Sequence, residues 1–107
     1  TFYGVAVRVQ SIHDVRRAYK KVALMDPGAT HIMAAYVMKT NSGKIISDHA
    51  DDDEHGGGIR VLNAVNNSNL QGLACFVVRH YGGVHIGFRR FVHISAAAES
   101  AIQKLNR

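Results

Sequence analysis

The chain has 107 residues, of which 47% are hydrophobic and 20% charged, which is typical of one globular domain and argues against disorder. No apolar run reaches the roughly 18 residues that a membrane-spanning helix needs, and the start lacks the ordered regions of a signal peptide. The formal net charge is +5, and a single cysteine excludes a disulfide framework and fits a reducing compartment.

The first half of the chain predicts a strand, a helix and a hairpin. Apolar residues alternate over residues 2–10, which predicts a half-buried strand. Ser11 with Asp14 three residues later predicts a capped helix start. The apolar run 31–38 and residues 44–47, which are joined by a short polar turn, then predict a β-hairpin.

The second half predicts a short helix over residues 59–65, a central strand over residues 73–79 and a last helix whose apolar face runs from Phe91 to Leu105. Cys75 lies inside the central strand, where we expect a buried structural thiol. The element order is therefore βαββαβα, in one domain over residues 1–107. Because the chain begins at Thr1, we expect it to be a fragment of a longer protein.

This order predicts an α+β fold, an α/β two-layer sandwich in which a mixed four-stranded sheet carries its helices on one face. The alternative is a three-layer fold. We favour two layers because three helices would cover both faces of four strands only thinly.

Two glycine-rich turns, residues 51–58 and residues 80–87, each end a strand and open a helix. Glycine there indicates backbone that needs positive φ or a close approach. The N–H groups of a helix N-terminus favour an anion or an acidic side chain. The first turn carries its own run of carboxylates, so it is not a plain phosphate site.

The charge is unevenly distributed. Five of the eight acidic residues lie within residues 48–54, and elsewhere thirteen Lys and Arg face three acids, a net of +10. Such a field favours an acidic partner or a nucleic acid, with a solvated basic surface as an equal alternative. The second turn is the better anion candidate, because Arg89 and Arg90 start its helix and Tyr81 offers an aromatic surface.

The motifs of known catalytic and metal sites are missing. Residues 49–55 offer nitrogen and oxygen donors, but their spacing matches no calcium loop and no HExxH motif. Residues 56–60 lack the Lys-Ser/Thr ending of a P-loop, and no serine sits in a GxSxG elbow. We therefore predict no catalytic residues, no metal site and no cofactor.

The two turns together resemble the signature of the IMPACT/YigZ family. Residues 51–54 with Gly56–Gly58, and the stretch from Val77 to Gly87, match its two motifs at the right separation. The segment Arg90–Ile94 resembles the Arg-Phe-x-His-Ile of eukaryotic IMPACT members. The resemblance covers most of the chain.

The sequence departs from the family pattern at three places. Asp53 stands where the family usually has glycine, and His80 replaces the usual aromatic residue. Phe88-Arg89 stands where eukaryotic members tend to have Pro-Asp, which turns an acidic helix start into a basic one.

The resemblance implies a fold like the second domain of small-subunit ribosomal protein five. It also implies a cytoplasmic role in translational control, since eukaryotic members resemble inhibitors that compete for the activator of the amino-acid-starvation kinase. In that family the activator is bound mainly by an N-terminal RWD domain, which this chain lacks, and the chain resembles the other, ancient domain. Actin association is a further property that the resemblance implies.

Our first hypothesis is a non-enzymatic interaction domain that binds protein partners, or an anion, on a surface shared by the two turns. The alternative is an RNA- or ribosome-binding module that uses the basic surface and the turn from Tyr81 to Gly87, and a second alternative is a metal-dependent hydrolase. The candidate binding residues are Asp51, Asp52, Asp53, Glu54, Gly57, Gly58, Arg60, Arg79, Tyr81, Gly82, Gly83, Gly87, Arg89, Arg90 and His93.

Overall fold

A computed structural model describes residues 1–82 and 86–105, and these residues form the predicted elements in the predicted order. The α+β class is confirmed. None of the described helices is long and apolar enough to cross a membrane. The elements are β1 (Phe2–Arg8), α1 (Ile12–Met25), β2 (His31–Lys39), β3 (Ile45–Ala50), α2 (Gly57–Asn67), β4 (Leu73–Arg79) and α3 (Arg89–Leu105).

Local sequence signals account for the start of α1 and for the β2–β3 hairpin. The backbone N–H of Asp14 donates to the Ser11 hydroxyl at 3.2 Å, and the Asp14 carboxylate accepts the backbone N–H of Gln10 at 2.8 Å. The Ser11 bond is the N-cap that the sequence predicts, whereas the Asp14 carboxylate binds the N–H one residue before the N-cap instead of completing a capping box. In the hairpin, Gly43 takes a φ of +87°, which glycine adopts without steric cost.

The four strands are ordered β1-β4-β2-β3, and every described pairing between neighbours is antiparallel. The predicted mixed sheet is therefore wrong. β1 and β2 do run in the same direction, because each is antiparallel to β4. They do not touch, because β4 is inserted between them, so no parallel ladder forms.

The helices lie on both faces of the sheet, so the prediction of two layers with helices on one face is also wrong. Cys75 and Val77 of β4 share a core with Ile94 of α3 and with the other buried apolar residues of α2 and α3. Phe76, which points the other way, shares a second core with Val22 of α1. The physical reason is visible in β4: all of its residues are buried, and a strand that is apolar on both faces must be covered on both.

Cys75 is a free, fully buried thiol, as the sequence predicts. Burial in apolar surroundings raises the pKa of the Cys75 thiol to about 12, because the thiolate would be poorly solvated there. The thiol stays protonated at neutral pH and acts as a small core side chain rather than a nucleophile.

Three residues that pair across the end of the sheet form one side of the candidate site. Arg79, the last residue of β4, pairs with Phe2 of β1 on one side and with His31 of β2 on the other. Residues that pair directly across strands point to the same face. Arg79 shares the parity of Val77 along β4, so the three residues lie on the face that α2 and α3 cover.

Candidate functional site

A buried ion-pair cluster forms where the loop between β3 and α2 meets the end of the sheet. Glu54 comes from the loop, and Nη1 of Arg79 donates to both of its carboxylate oxygens at 2.7 Å. Nε of Arg90, from the first turn of α3, lies 3.1 Å from Oε1 of Glu54. Nε2 of His31 lies 3.5 Å from Oε2. The loop, the sheet and α3 are therefore joined at one carboxylate.

The Glu54–Arg79 pair at the centre of the cluster is withdrawn from solvent. Glu54 is 4% exposed and Arg79 is 8% exposed. The Arg79 guanidinium also lies over the rings of Phe2 at 5.1 Å and Tyr81 at 5.5 Å, where the aromatic faces attract the cation. A buried carboxylate is tolerated only when it is paired and hydrogen-bonded. The charge of Glu54 is thus directed inward at Arg79 rather than towards a partner in solvent.

The carboxylates of Asp51 and Asp52, at the start of the acidic turn, also accept hydrogen bonds from within the fold. Asp51 accepts the backbone N–H of Gly58 at 2.7 Å and that of Gly56 at 3.3 Å, so its charge lies at the positive end of α2. The Asp52 carboxylate accepts the backbone N–H of Ile32 at 2.8 Å. Because a carbonyl oxygen can only accept, Nδ1 of His31 donates to the Asp52 carbonyl, 2.7 Å away. Asp51 therefore occupies the helix N-terminus that the sequence offered to an anion.

Three successive glycines let α2 approach the sheet. Gly56 has a φ of +80°. A Cβ on Gly57 would lie 2.4 Å from the Met33 sulfur, and one on Gly58 would lie 2.7 Å from the backbone of Ala50. The first glycine supplies a left-handed turn, and the next two supply close packing.

Asp52 and Asp53 adopt left-handed backbone conformations, with φ values of +51° and +63°. This region favours glycine, and aspartate is among the few other residues that visit it. The family's usual glycine at the position of Asp53 suits this geometry. Asp53 itself is exposed and borders an open cavity of about 330 Å³ together with His55, Arg79 and Gly87.

The second turn is described at both ends. Tyr81 is half-exposed, and its backbone N–H donates to the Thr30 hydroxyl at 3.0 Å. Gly82 lies in open space, and Gly87 has a φ of +58°. The predicted site residue Gly83 lies outside the described residues.

The start of α3 presents an apolar and basic surface. Phe88 is 83% exposed and Val92 is 68% exposed, one helical turn apart, with Arg89 exposed beside them. We call these three residues the α3 patch. Arg90 points the other way: its Nη1 donates to the Gly87 carbonyl at 2.9 Å, and its Nε faces Glu54.

The remaining candidate residues lie beside this surface. The guanidinium of Arg60, which is exposed on α2, lies 4.5 Å from the ring centre of Phe91. His93 is exposed and stacks on Phe2, with the ring centres 5.5 Å apart. The sequence reasoning missed Phe2 and His31, which reach the site only because β1 and β2 flank the end of β4.

His80 belongs to a separate cluster on the α1 side of the sheet. Its Nε2 lies 2.7 Å from Oδ2 of Asp26, and the Tyr3 hydroxyl donates to the same carboxylate. The Tyr3 and His80 bonds lower the pKa of Asp26, and the bond to Asp26 raises the pKa of Tyr3. His80, which replaces the family's usual aromatic residue, thus links the end of β4 to the loop after α1 through its hydrogen bond to Asp26.

Metal binding finds no geometric support among the described residues. Among residues 1–82 and 86–105, no group of three or more His, Cys, Asp or Glu is arranged to hold a metal ion. Every buried side-chain nitrogen or oxygen in the same ranges has a hydrogen-bond partner. The cluster around Glu54 therefore has the properties of a structural centre.

Comparisons with known proteins agree with the motifs. The model of the family described as Impact N-terminal domain matches residues 1–102. The Protein IMPACT homolog of Schizosaccharomyces pombe is 37% identical over 95% of this chain and 37% of its own length. Protein IMPACT of Rattus norvegicus is 32% identical over 81% of this chain and 26% of its own length. The chain thus spans about a third of the length of these relatives.

Two solved structures share the fold. The two-domain translational regulator Yih1 has a TM-score of 0.64 at 29% identity, covering 96% of this chain and 41% of the Yih1 chain. A protein described as hypothetical has a TM-score of 0.84 at 19% identity, covering 96% of this chain and 52% of the other. The second likeness shows the fold alone.

The substitution Glu54→Gln should lower the free energy of unfolding by about 3 kcal/mol or more, because it leaves Arg79 buried without a counter-charge. Urea denaturation measures the change. The matched control is Asp53→Asn in the same loop, which is exposed and should change stability by less than about 0.5 kcal/mol. Adding Arg79→Met to the Glu54 variant should recover part of the loss. Equal effects of Glu54→Gln and Asp53→Asn would contradict the structural role.

The substitutions Asp53→Gly and Asp53→Ala should separate backbone conformation from charge. Both remove the carboxylate, but only alanine keeps a Cβ that is strained at positive φ. We expect the glycine variant to exceed the alanine variant by about 1 kcal/mol in free energy of unfolding. Thermal or urea unfolding would show the difference, and identical stabilities would mean that the left-handed turn is not under strain.

Proposed function

The chain belongs to the Impact N-terminal domain family, and from this membership we propose that it is a non-enzymatic, protein-binding domain in translational control. The likeness to Yih1, a translational regulator, supports the proposal. The family resemblance supports a finer version, in which the domain helps to inhibit the amino-acid-starvation kinase pathway in the cytoplasm during the stress response. This chain spans about a third of the length of such relatives, so the proposed role is the one that this domain contributes to such a protein.

The observation that carries the proposal is the contrast between the inside of the site and its outer surface. Inside, the carboxylate of Glu54 is neutralised by Arg79 and Arg90. Outside, the α3 patch exposes two large apolar side chains beside an arginine. Apolar, aromatic and arginine side chains grouped at a surface are typical of protein-binding sites.

The buried cluster also orients this patch. Arg90 is held by Glu54 and lies over the Phe91 ring at 4.5 Å. The Phe91 ring in turn contacts that of Phe88, with ring centres 6.1 Å apart. The first turn of α3 is therefore fixed from within, which lowers the entropic cost of binding a partner at the patch.

Replacing Phe88 and Val92 together with alanine should weaken the regulatory activity without unfolding the domain, because both side chains are exposed. The full-length protein would be overproduced in amino-acid-starved cells, and phosphorylation of the initiation factor that the starvation kinase modifies would be measured. We expect the parent to lower this phosphorylation and the double variant to lower it clearly less.

The matched control is Leu24→Ala with Met25→Ala, an equally exposed apolar pair at the end of α1. It should keep the inhibition. Full inhibition by the α3-patch variant would reject the patch as the partner surface, whereas loss of inhibition in both variants would point to a general effect on the protein. Co-sedimentation of the parent and of the α3-patch variant with filamentous actin distinguishes actin from other protein partners.

RNA or the ribosome is the second candidate partner. The exposed Arg60, whose guanidinium lies 4.5 Å from the ring centre of Phe91, and the exposed Arg89 favour it. Phosphate contacts make affinity fall linearly with salt on logarithmic axes, so Arg60→Gln with Arg89→Gln should reduce that slope by about two. Fluorescence anisotropy with single-stranded RNA measures it. The control, Lys39→Gln with Lys44→Gln, should leave the slope unchanged, and absence of salt-sensitive binding at low ionic strength excludes this candidate.

A further inference from the structure

The two faces of the sheet are covered unequally. On one face, α2 packs over β2 and β3, α3 packs over β1, and both helices contact β4. On the other face, α1 is the helix among the described residues that covers the sheet. Four strands spaced about 4.8 Å apart present a surface close to two helix diameters wide, since a helix with its side chains measures about 10 Å across. Half of the α1 face is therefore without a helix.

An apolar groove of about 360 Å³ occupies this uncovered half, between α1 and the β2–β3 hairpin. Ala34 and Ala50, which pair across the two strands, give it a low floor. Tyr19 and Phe76, whose ring centres lie 6.2 Å apart, border it on the α1 side, and Tyr36 lines it on β2. Small residues on the floor and aromatic residues at the edge make a depression into which apolar side chains fit.

The two walls of the groove carry opposite charges. Arg16 and Lys20, one helical turn apart on α1, are both exposed and form the basic wall. Neither has an acidic residue three or four positions away in α1, so the helix supplies them with no ion-pair partner. The facing wall carries the Asp48 carboxylate on β3.

We propose that this groove docks an amphipathic helix of a partner protein. The apolar stripe of that helix lies on the floor, and acidic residues four positions apart line the flank that faces Arg16 and Lys20. A helix fits the width of the uncovered half-face, and helices pack on neighbours about 8–10 Å away. The apolar lining and the Asp48 carboxylate disfavour RNA, because its phosphates would meet a like charge.

The groove lies on the opposite face of the sheet from the α3 patch, so its partner is independent of the proposed function. Failure to find a partner for the α3 patch would leave the groove proposal unaffected, and the reverse also holds.

The test uses a designed helical peptide with a leucine stripe, glutamate at four-residue spacing on one flank and lysine on the other. Titration into the isotopically labelled domain should give saturable binding, with amide shifts confined to α1, β2, β3 and the part of β4 around Phe76. Arg16→Glu with Lys20→Glu should weaken binding by at least about tenfold, since two attractions become repulsions. A peptide with lysine in place of those glutamates should restore binding to this variant.

The matched control is Arg17→Glu with Lys21→Glu, the same change of charge on α1 at exposed residues that do not line the groove. Binding should stay within about twofold of the parent value, a difference of less than 0.5 kcal/mol. A second variant, Ala34→Phe, fills the floor while keeping every charge and should also block binding. Circular dichroism confirms that each variant is folded.

Equal weakening by the two double variants would overturn the proposal, because binding would then follow net charge rather than the groove. No saturable binding at millimolar peptide would overturn it as well. Sedimentation that shows a dimer broken by Ala34→Phe would assign the groove to a second copy of the chain. RNA binding lost in Arg16→Glu with Lys20→Glu alone would assign it to nucleic acid.

Discussion

The structure depends on the ion pair between Glu54 and Arg79. Arg79 ends the central strand, where it has a strand on each side, and Glu54 comes from the turn that starts α2. Since both groups are buried, each needs the other: an unpaired charge at this depth would cost several kcal/mol. The pair therefore ties the acidic turn to the sheet, and the addition of Arg90 ties α3 to both.

This constraint explains why so many carboxylates and glycines stand together in the first turn. Asp51 accepts a backbone N–H group at the N-terminus of α2, and Glu54 neutralises the charge of Arg79. Gly57 and Gly58 let the helix lie against β2 and β3. In this chain, the motif by which the family is identified thus mainly stabilises the fold. The partner surfaces that we propose are the α3 patch, which the cluster holds in place, and the groove beside α1 on the opposite face.

Much of the fold was accessible to sequence reasoning because its signals are local. The polar cap at Ser11, the hairpin around Gly43 and the apolar run of β4 each act within a few residues, and the structure confirms them. The layer arrangement was predicted wrongly although a signal was present. A strand without any polar residue before Arg79 has two faces to bury, and that requirement outweighed the argument that three helices are too few.

The sequence by itself determined the order and type of the elements, the buried thiol of Cys75, and the family, because periodicity, caps and motifs are properties of neighbouring residues. Only the tertiary structure decided that β4 lies between β1 and β2, and therefore that Phe2, His31, Glu54 and Arg90 meet at Arg79. It also decided that Asp51, Asp52 and Glu54 of the acidic turn bond within the fold, whereas Asp53 is exposed. These outcomes depend on strand pairing and on the desolvation of charges across distant segments, and neither quantity is encoded in local spacing.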